Sequence, residues 1–405
     1  MNQIQQKDWT ILIYANGNNE LQPEIWRVKT DAEKIGSNEN VNVVMQISRE
    51  KNELISIIRP YETLPQVGVK WIGARRYFVT NDKSTLIKDL GRINMANPVT
   101  LYDFIKWGIS CYPAKHYLLT LGGHGYQFVG AMTDYSQKVP YIMGIPGLCK
   151  AIQLASSELG RKIDLLVLDV CYFNLIEPVY EFGKDENHAV QNIITYIGGG
   201  PLQGLSYDKL IRAVQCNSHI ADLSSLIRRI VDSLDFDLVA VEINHNKLKH
   251  IKKLYCDLAD CFIASKGDKK TKLHELFLAN PEDEWHMPAS SINCSVLSLI
   301  LYHKIITNSK SSLLNCATLP TDNLGKIIRY SKLSFAQDNN WTYLLSNKAI
   351  QPRLSVTSEV ELSPLVLSAQ EVFSYIYIMN TSLSKERIQM IFEKLLQYKK
   401  WVLFE

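Results

Sequence analysis

What this 405-residue chain lacks already narrows its chemistry. It has no C-x-x-C pair and no Cys/His group at structural-zinc spacing, which argues against a zinc-built fold. It has no excess of one charge. Lys plus Arg number 44 against 41 Asp plus Glu, a net charge of +3, so there is no electrostatic case for nucleic acid or an anionic membrane as partner. No apolar run approaches the ~18 residues of a spanning helix. The segment Met1–Asp8 carries neither a basic cluster nor an apolar h-region. These two absences lead to the expectation of a cytoplasmic chain, with a removed leader or another export route left open. Repeats and low-complexity tracts are missing as well. The eight cysteines form an even set, but in a long chain without a leader they are expected to be reduced thiols, most of them buried.

What is present is a globular composition, 46% hydrophobic and 21% charged, in a chain long enough for two or three domains. The first ~245 residues alternate apolar runs with helical patterns. Strands are predicted at Trp9–Ala15, Val41–Ile47, Val69–Val79, Lys115–Leu121, Ile163–Asp169, Asn192–Ile197 and Phe236–Ile243. Helices are predicted before Ile35 and over Thr100–Ser110, Pro146–Leu159, Asn174–Phe182 and His245–Ser265. This order implies an α/β fold: a mostly parallel sheet with helices on both faces. We therefore divide the chain into a core, 1–245, and a C-terminal helical and mixed α+β accessory region, 246–405. A basic break at Lys266–Lys272 reads as a solvated linker or a helix start. The accessory region is expected to contain alternating segments such as Ser374–Met379. Its final helix should be capped by Ser384 and bury Ile388, Ile391, Phe392 and Leu395.

Two short strings carry the chemistry. Leu121-Gly-Gly-His-Gly125 and Leu168-Asp-Val-Cys171 each follow a predicted strand, and the carboxyl edge of a parallel sheet is where active sites lie. Neighbouring strands are ~4.8 Å apart, so a His and a Cys leaving adjacent strands can meet. Cysteine attacks as thiolate, and a histidine titrating near pH ~6.5 can take its proton and return it to a leaving amine. The N–H groups of Gly125 and Cys171 are candidates for an oxyanion hole. A helix starting soon after Cys171 is expected to lower the thiol pKa. A phosphate-cradling loop fits less well. Gly123–Phe128 lacks the last glycine of G-x-G-x-x-G, and Gly198–Gly204 has no Gly-Lys-Ser/Thr.

The core resembles the clostripain family of cysteine peptidases, in the caspase–haemoglobinase fold clan. The matching strings are Trp9-Thr-Ile-Leu-Ile-Tyr14 with Asn18, Asn19 and Leu21, Val41-Asn-Val-Val-Met-Gln46, and Tyr112-Pro-Ala-Lys-His-Tyr117. They continue through Gly123-His-Gly125, Ile163–Cys171 with Ile176-Glu177, and Phe236–Leu248. The order agrees with caspases, whose His stands ~50 residues before the Cys. The resemblance implies a caspase-like fold and an endopeptidase acting through a thioester acyl-enzyme. His124 carries over as base, Cys171 as nucleophile, and Asp169 as the acid lining an S1 pocket for Arg or Lys. It also implies a zymogen that cuts itself between the His and the Cys, and Lys138 is the basic residue best suited to an exposed loop.

One departure bears on specificity. After the next strand the family has acidic residues that help build S1, and this chain has Gly198, Gly199 and Gly200; Asp208 is an alternative acid. The competing reading is a catalytically quiet caspase-like scaffold that binds peptides or protein partners. Protein or peptide substrates are the expected partners. No cofactor is expected: some family members respond to calcium, but no EF-hand-like loop supports a calcium site here.

Overall fold

The structure is a computed structural model that describes residues 6–62, 70–264, 286–307, 312–317, 324–345 and 362–404. The basic break at 266–272 lies outside these residues. In chain order the strands are β1 (Lys7–Ala15), β2 (Val41–Arg49), β3 (Gly73–Thr80), β4 (Lys83–Gly91), β5 (Ala114–Gly122) and β6 (Gly125–Tyr126). There follow β7 (Gly130–Asp134), β8 (Tyr141–Gly144), β9 (Ile163–Asp169), β10 (Val190–Tyr196), β11 (Leu238–Glu242), β12 (Ile300–Lys304) and β13 (Leu365–Val366).

Nine of them form one sheet in the order β12-β11-β10-β9-β5-β1-β2-β3-β4. The five central strands, from β10 to β2, run parallel, and the two strands on each flank run antiparallel. The central strands are rich in apolar residues because both faces are covered. Alternate residues feed two cores: Leu12, Tyr14, Leu119 and Leu166 point to one, and Ile11, Ile13, Leu118 and Leu165 to the other. Helices Pro98–Cys111 and Ile145–Leu159 close the first face with Phe104, Ile105, Leu148 and Ile152. Helices Gln22–Glu33, Tyr207–Cys216 and Leu223–Ser233 close the second with Ile25, Val28, Leu210 and Ile227.

A second sheet, β13-β8-β7-β6, joins residues on either side of the 245 boundary. It packs with helices Asn52–Ile58, Ala369–Met379 and Lys385–Lys399 around a third core that includes Tyr135, Tyr375, Phe392 and Trp401. Residues beyond 245 also supply β12 to the main sheet.

Several local expectations change. β3 begins at Gly73 and turns through Asn81-Asp82, with Asp82 at φ 63°, into β4. That strand escapes an apolar-pattern search because it is an edge, mostly exposed and bearing Lys83 and Lys88. Ser374–Met379 lies within a helix, not an alternating strand. Ser368 and Glu371 make a full capping box at its start, and Val372, Tyr375 and Ile376 are buried at helical spacing. The final helix is as expected, capped by Ser384 with Ile388, Ile391, Phe392 and Leu395 inside. All eight cysteines are free, but only Cys149 and Cys316 are buried. Cys111, Cys216 and Cys294 lie on outer helix faces and are exposed.

Candidate active site

β5 and β9 are hydrogen-bonded parallel neighbours with Gly122 opposite Asp169, so both strands end at the same level. The next residues of each emerge side by side. Gly123 N–H donates to the Asp169 carbonyl at 3.2 Å. Gly125 lies flat against Cys171: a Cβ at 125 would overlap the Cys171 carbonyl oxygen and stand 2.9 Å from its nitrogen. His124, between the two glycines, and Cys171 both line one cavity of about 1000 Å³.

The two side chains are held differently. His124 Nε2 is 2.8 Å from the Glu20 carboxylate, on the loop after β1. Its ring packs on Tyr375 of the C-terminal region, with centroids 5.1 Å apart, and its carbonyl accepts from Met132 N–H at 2.9 Å. Cys171 Sγ accepts from Gly200 N–H at 3.3 Å. Tyr172, directly after the Cys, has φ 60°, and its N–H bonds the Gly198 carbonyl at 2.8 Å. The glycine turn thus folds onto the sulfur. Gly200 is required there, since a Cβ would run into the Tyr196 ring.

Burial pushes the Cys171 thiol above its ordinary range; the Gly200 N–H opposes this and the Asp169 charge adds to it. This reverses the expectation of a thiol lowered by a following helix. That helix starts only at Ile176, and the dipole effect fades within a turn. Asp169 also lines the cavity but is deeply buried. Tyr196 OH and Leu205 N–H donate to its Oδ1 at 2.6 and 3.1 Å. Burial raises its carboxyl, and the hydrogen bond from Tyr196 only partly offsets this. Gly204, at φ 68°, leaves room for Oδ2, which a Cβ there would approach to 2.9 Å.

The remaining sequence candidates separate. Gly198–Gly200 form part of the cavity wall without supplying an acid. Asp208, in the first turn of its helix, does not line the cavity; its charge acts on Lys34. Lys138 is exposed on the β7–β8 loop, away from the cavity lining. The C-terminal region ties that loop at both ends: Trp401 Nε1 donates to Gln137 O at 3.2 Å, and Leu367 N to Pro140 O at 2.9 Å. Glu20 and Tyr375 were not singled out from the sequence. Glu20 lies between the matched residues Asn19 and Leu21, and an acid on the loop just beyond a strand was the available signal.

A model of the clostripain family matches residues 78–317. No curated protein matches the chain. Among solved structures, the chain is similar to a secreted C11 cysteine protease from Bacteroides thetaiotaomicron in complex with an irreversible peptide inhibitor. The identity is 12% over 83% of this chain and 98% of that one, with a TM-score of 0.57. A second structure of a secreted C11 cysteine protease from that organism, iotapain, gives 11%, 82%, 99% and 0.53. An inactive zymogen C11 protease from Parabacteroides distasonis gives 16%, 83%, 99% and 0.53. At these identities the likeness establishes the caspase-like fold. The comparison also corrects the cytoplasmic expectation. The similar Bacteroides thetaiotaomicron structures are of secreted protein, so the polar segment Met1–Asp8 is no ground for placing this chain in the cytoplasm. Among the described residues, no helix is long and apolar enough to cross a membrane.

Proposed function

This chain belongs to the clostripain family of cysteine peptidases, and from that premise we propose that His124 and Cys171 are its catalytic base and nucleophile. The observation that carries the reading is the flush ending of β5 and β9, with both side chains on one cavity.

In the reaction, His124 takes the Cys171 proton as Sγ attacks the scissile carbonyl carbon. The carbonyl oxygen becomes an oxyanion beside the N–H groups of Gly125 and Cys171, which act on it from fixed backbone positions. The imidazolium then protonates the leaving amine, the C–N bond breaks and a thioester remains. Water, deprotonated by His124, attacks the thioester. The carboxylic acid leaves and the proton returns to sulfur. No cofactor enters these steps.

For P1, Asp169 is the acid at the cavity floor, and a basic side chain suits it by charge. Its carboxylate is shared with Tyr196 and Leu205, and the glycine turn adds no second acid. Glu24 and Glu62 also line the cavity but are paired with Arg59, so the preference for Arg or Lys is assigned to Asp169. Lys138, exposed between the His and Cys strands, suits self-cleavage, and the zymogen state of the Parabacteroides distasonis neighbour favours such a step. Residues 1–245 form the peptidase core in this reading, with 246–405 accessory to it.

A positional-scanning peptide library tests activity and P1 preference together. Cleavage should concentrate after Arg and Lys, and Cys171→Ala should abolish both it and any cut at Lys138. Wild-type cleavage by Cys171→Ala would overturn the dyad.

A further inference from the structure

We propose that Glu20 is a positioning residue for this reaction: its carboxylate holds His124 by Nε2, so that Nδ1 is the nitrogen that works as base. The inference rests on the assignment of His124 and Cys171 made above.

A carboxylate only accepts hydrogen bonds. The 2.8 Å contact between Glu20 Oε1 and His124 Nε2 therefore puts the neutral ring's proton on Nε2 and leaves the Nδ1 lone pair free. When Nδ1 takes the thiol proton, the ring becomes a cation, and the same carboxylate stabilises it.

The surroundings suit a carboxylate kept for this purpose. Glu20 is 1% exposed. Burial alone would push its carboxyl up, but the charge and hydrogen bond of His124, its own backbone amide and the Arg59 charge bring it below its ordinary value. Its second oxygen is buried with no hydrogen-bond partner among the described residues. A buried charge left half satisfied is costly and calls for an explanation in function. Arg59, the nearby cation, is committed elsewhere. It grips Glu24 with both terminal nitrogens, at 2.8 and 2.9 Å, and pairs with Glu62, giving Glu20 only a bond to its main-chain carbonyl.

The backbone that delivers Glu20 is also anchored to the His124 side. The side chains of Asn16 and Asn19 both donate to Thr133 O, at 2.9 and 2.8 Å, while adjacent Met132 N–H donates to His124 O. One short stretch of β7 thus sets the distance between the acid and the base. The other titratable or charged groups around the pair are Arg59 with its partners Glu24 and Glu62, Tyr135, Tyr375 with Glu371, Tyr126 with Lys326, Cys171 and Asp169. Among these, Glu20 is the group hydrogen-bonded to the imidazole.

The test compares Glu20→Gln and Glu20→Asp with the wild-type full chain on the best library peptide, with concentrations set by active-site titration. Glutamine keeps an acceptor for Nε2–H but loses the charge. The expected result is a fall in kcat of about 10- to 100-fold with KM nearly unchanged. The acid limb of the kcat profile should move to lower pH, because the imidazolium has lost its stabilising partner. Glu20→Asp, which restores the charge one methylene short, should recover part of kcat and the wild-type limb. A folded Glu20→Gln with wild-type kcat and pH profile, or two variants that lose active protein without any change in profile, would overturn the inference. Those outcomes leave the dyad standing if His124→Ala and Cys171→Ala are dead. An active His124→Ala would bring down both.

Discussion

The two halves of the site are built on different principles. On the β5 side, His124 is held by side chains from distant parts of the chain: the Glu20 carboxylate near the start and the Tyr375 ring near the end. On the β9 side, Cys171 is met by main chain, the Gly200 amide, in a turn where only glycine fits. His124 is thus set by charge, and Cys171 by backbone geometry and burial. Burial holds the Cys171 thiol above its ordinary range, so the sulfur side of the proposed pair is the less activated of the two.

The largest effect expected from breaking the β9 side is at Asp169. If it is the S1 acid, Asp169→Asn should cut kcat/KM for Arg and Lys peptides by about 10²- to 10³-fold. Stability should move the other way. Burial raises the Asp169 carboxyl, so keeping it ionised costs stability as pH rises from the ordinary carboxylate range through the raised value. Asparagine removes that cost while still accepting from Tyr196, and the melting temperature at neutral pH should hold or increase.

A smaller effect is expected at Gly200. Gly200→Ala forces a methyl against the Tyr196 ring and displaces the amide from Sγ. Alkylation of Cys171 by iodoacetamide, followed against pH by peptide mapping, should slow about tenfold. In the wild type this alkylation should set in at a higher pH than for an ordinary thiol. A Gly200→Ala protein alkylated as fast as wild type would show that the turn does not govern the sulfur.

The smallest change concerns the loop that holds Lys138. Trp401→Phe keeps the ring against Tyr135 but loses the bond to Gln137 O, worth about 1 kcal/mol. Opening of the loop, and with it cutting after Lys138, should increase about fivefold in a gel time course. An unchanged rate would remove the C-terminal region from control of that step.

The parts of this account that could be read in the sequence share one physical property: they are local. The runs Trp9–Ala15 and Ile163–Asp169 are buried on both faces and show as apolar stretches broken only by Thr10 and by Asp164 and Asp169. Gly123-His-Gly125 and Asp169-Val-Cys171 are marked by their position just beyond such runs. Glu20 could not be assigned this way, because its partner lies 104 residues away and only the folded register brings them together. The Gly200 N–H that opposes the rise of the Cys171 thiol likewise comes from a turn 29 residues on. Ser374-Tyr-Ile-Tyr-Ile-Met379 misled because Tyr and Ile satisfy both periods, and the capping box at Ser368 decides for helix. The helices Tyr207–Cys216 and Leu223–Ser233 had a legible apolar face in Leu210, Ile211 and Val214 and in Leu226, Ile227 and Ile230.

The claim at the centre, that Cys171 acts as nucleophile with His124 as its base, is tested most directly by mass spectrometry after reaction with an irreversible peptide inhibitor ending in Arg or Lys. The account predicts one adduct, on the peptide containing Cys171, formed by the wild type and lost in His124→Ala. An adduct on any other of the eight cysteines, or one formed equally fast without His124, would contradict it.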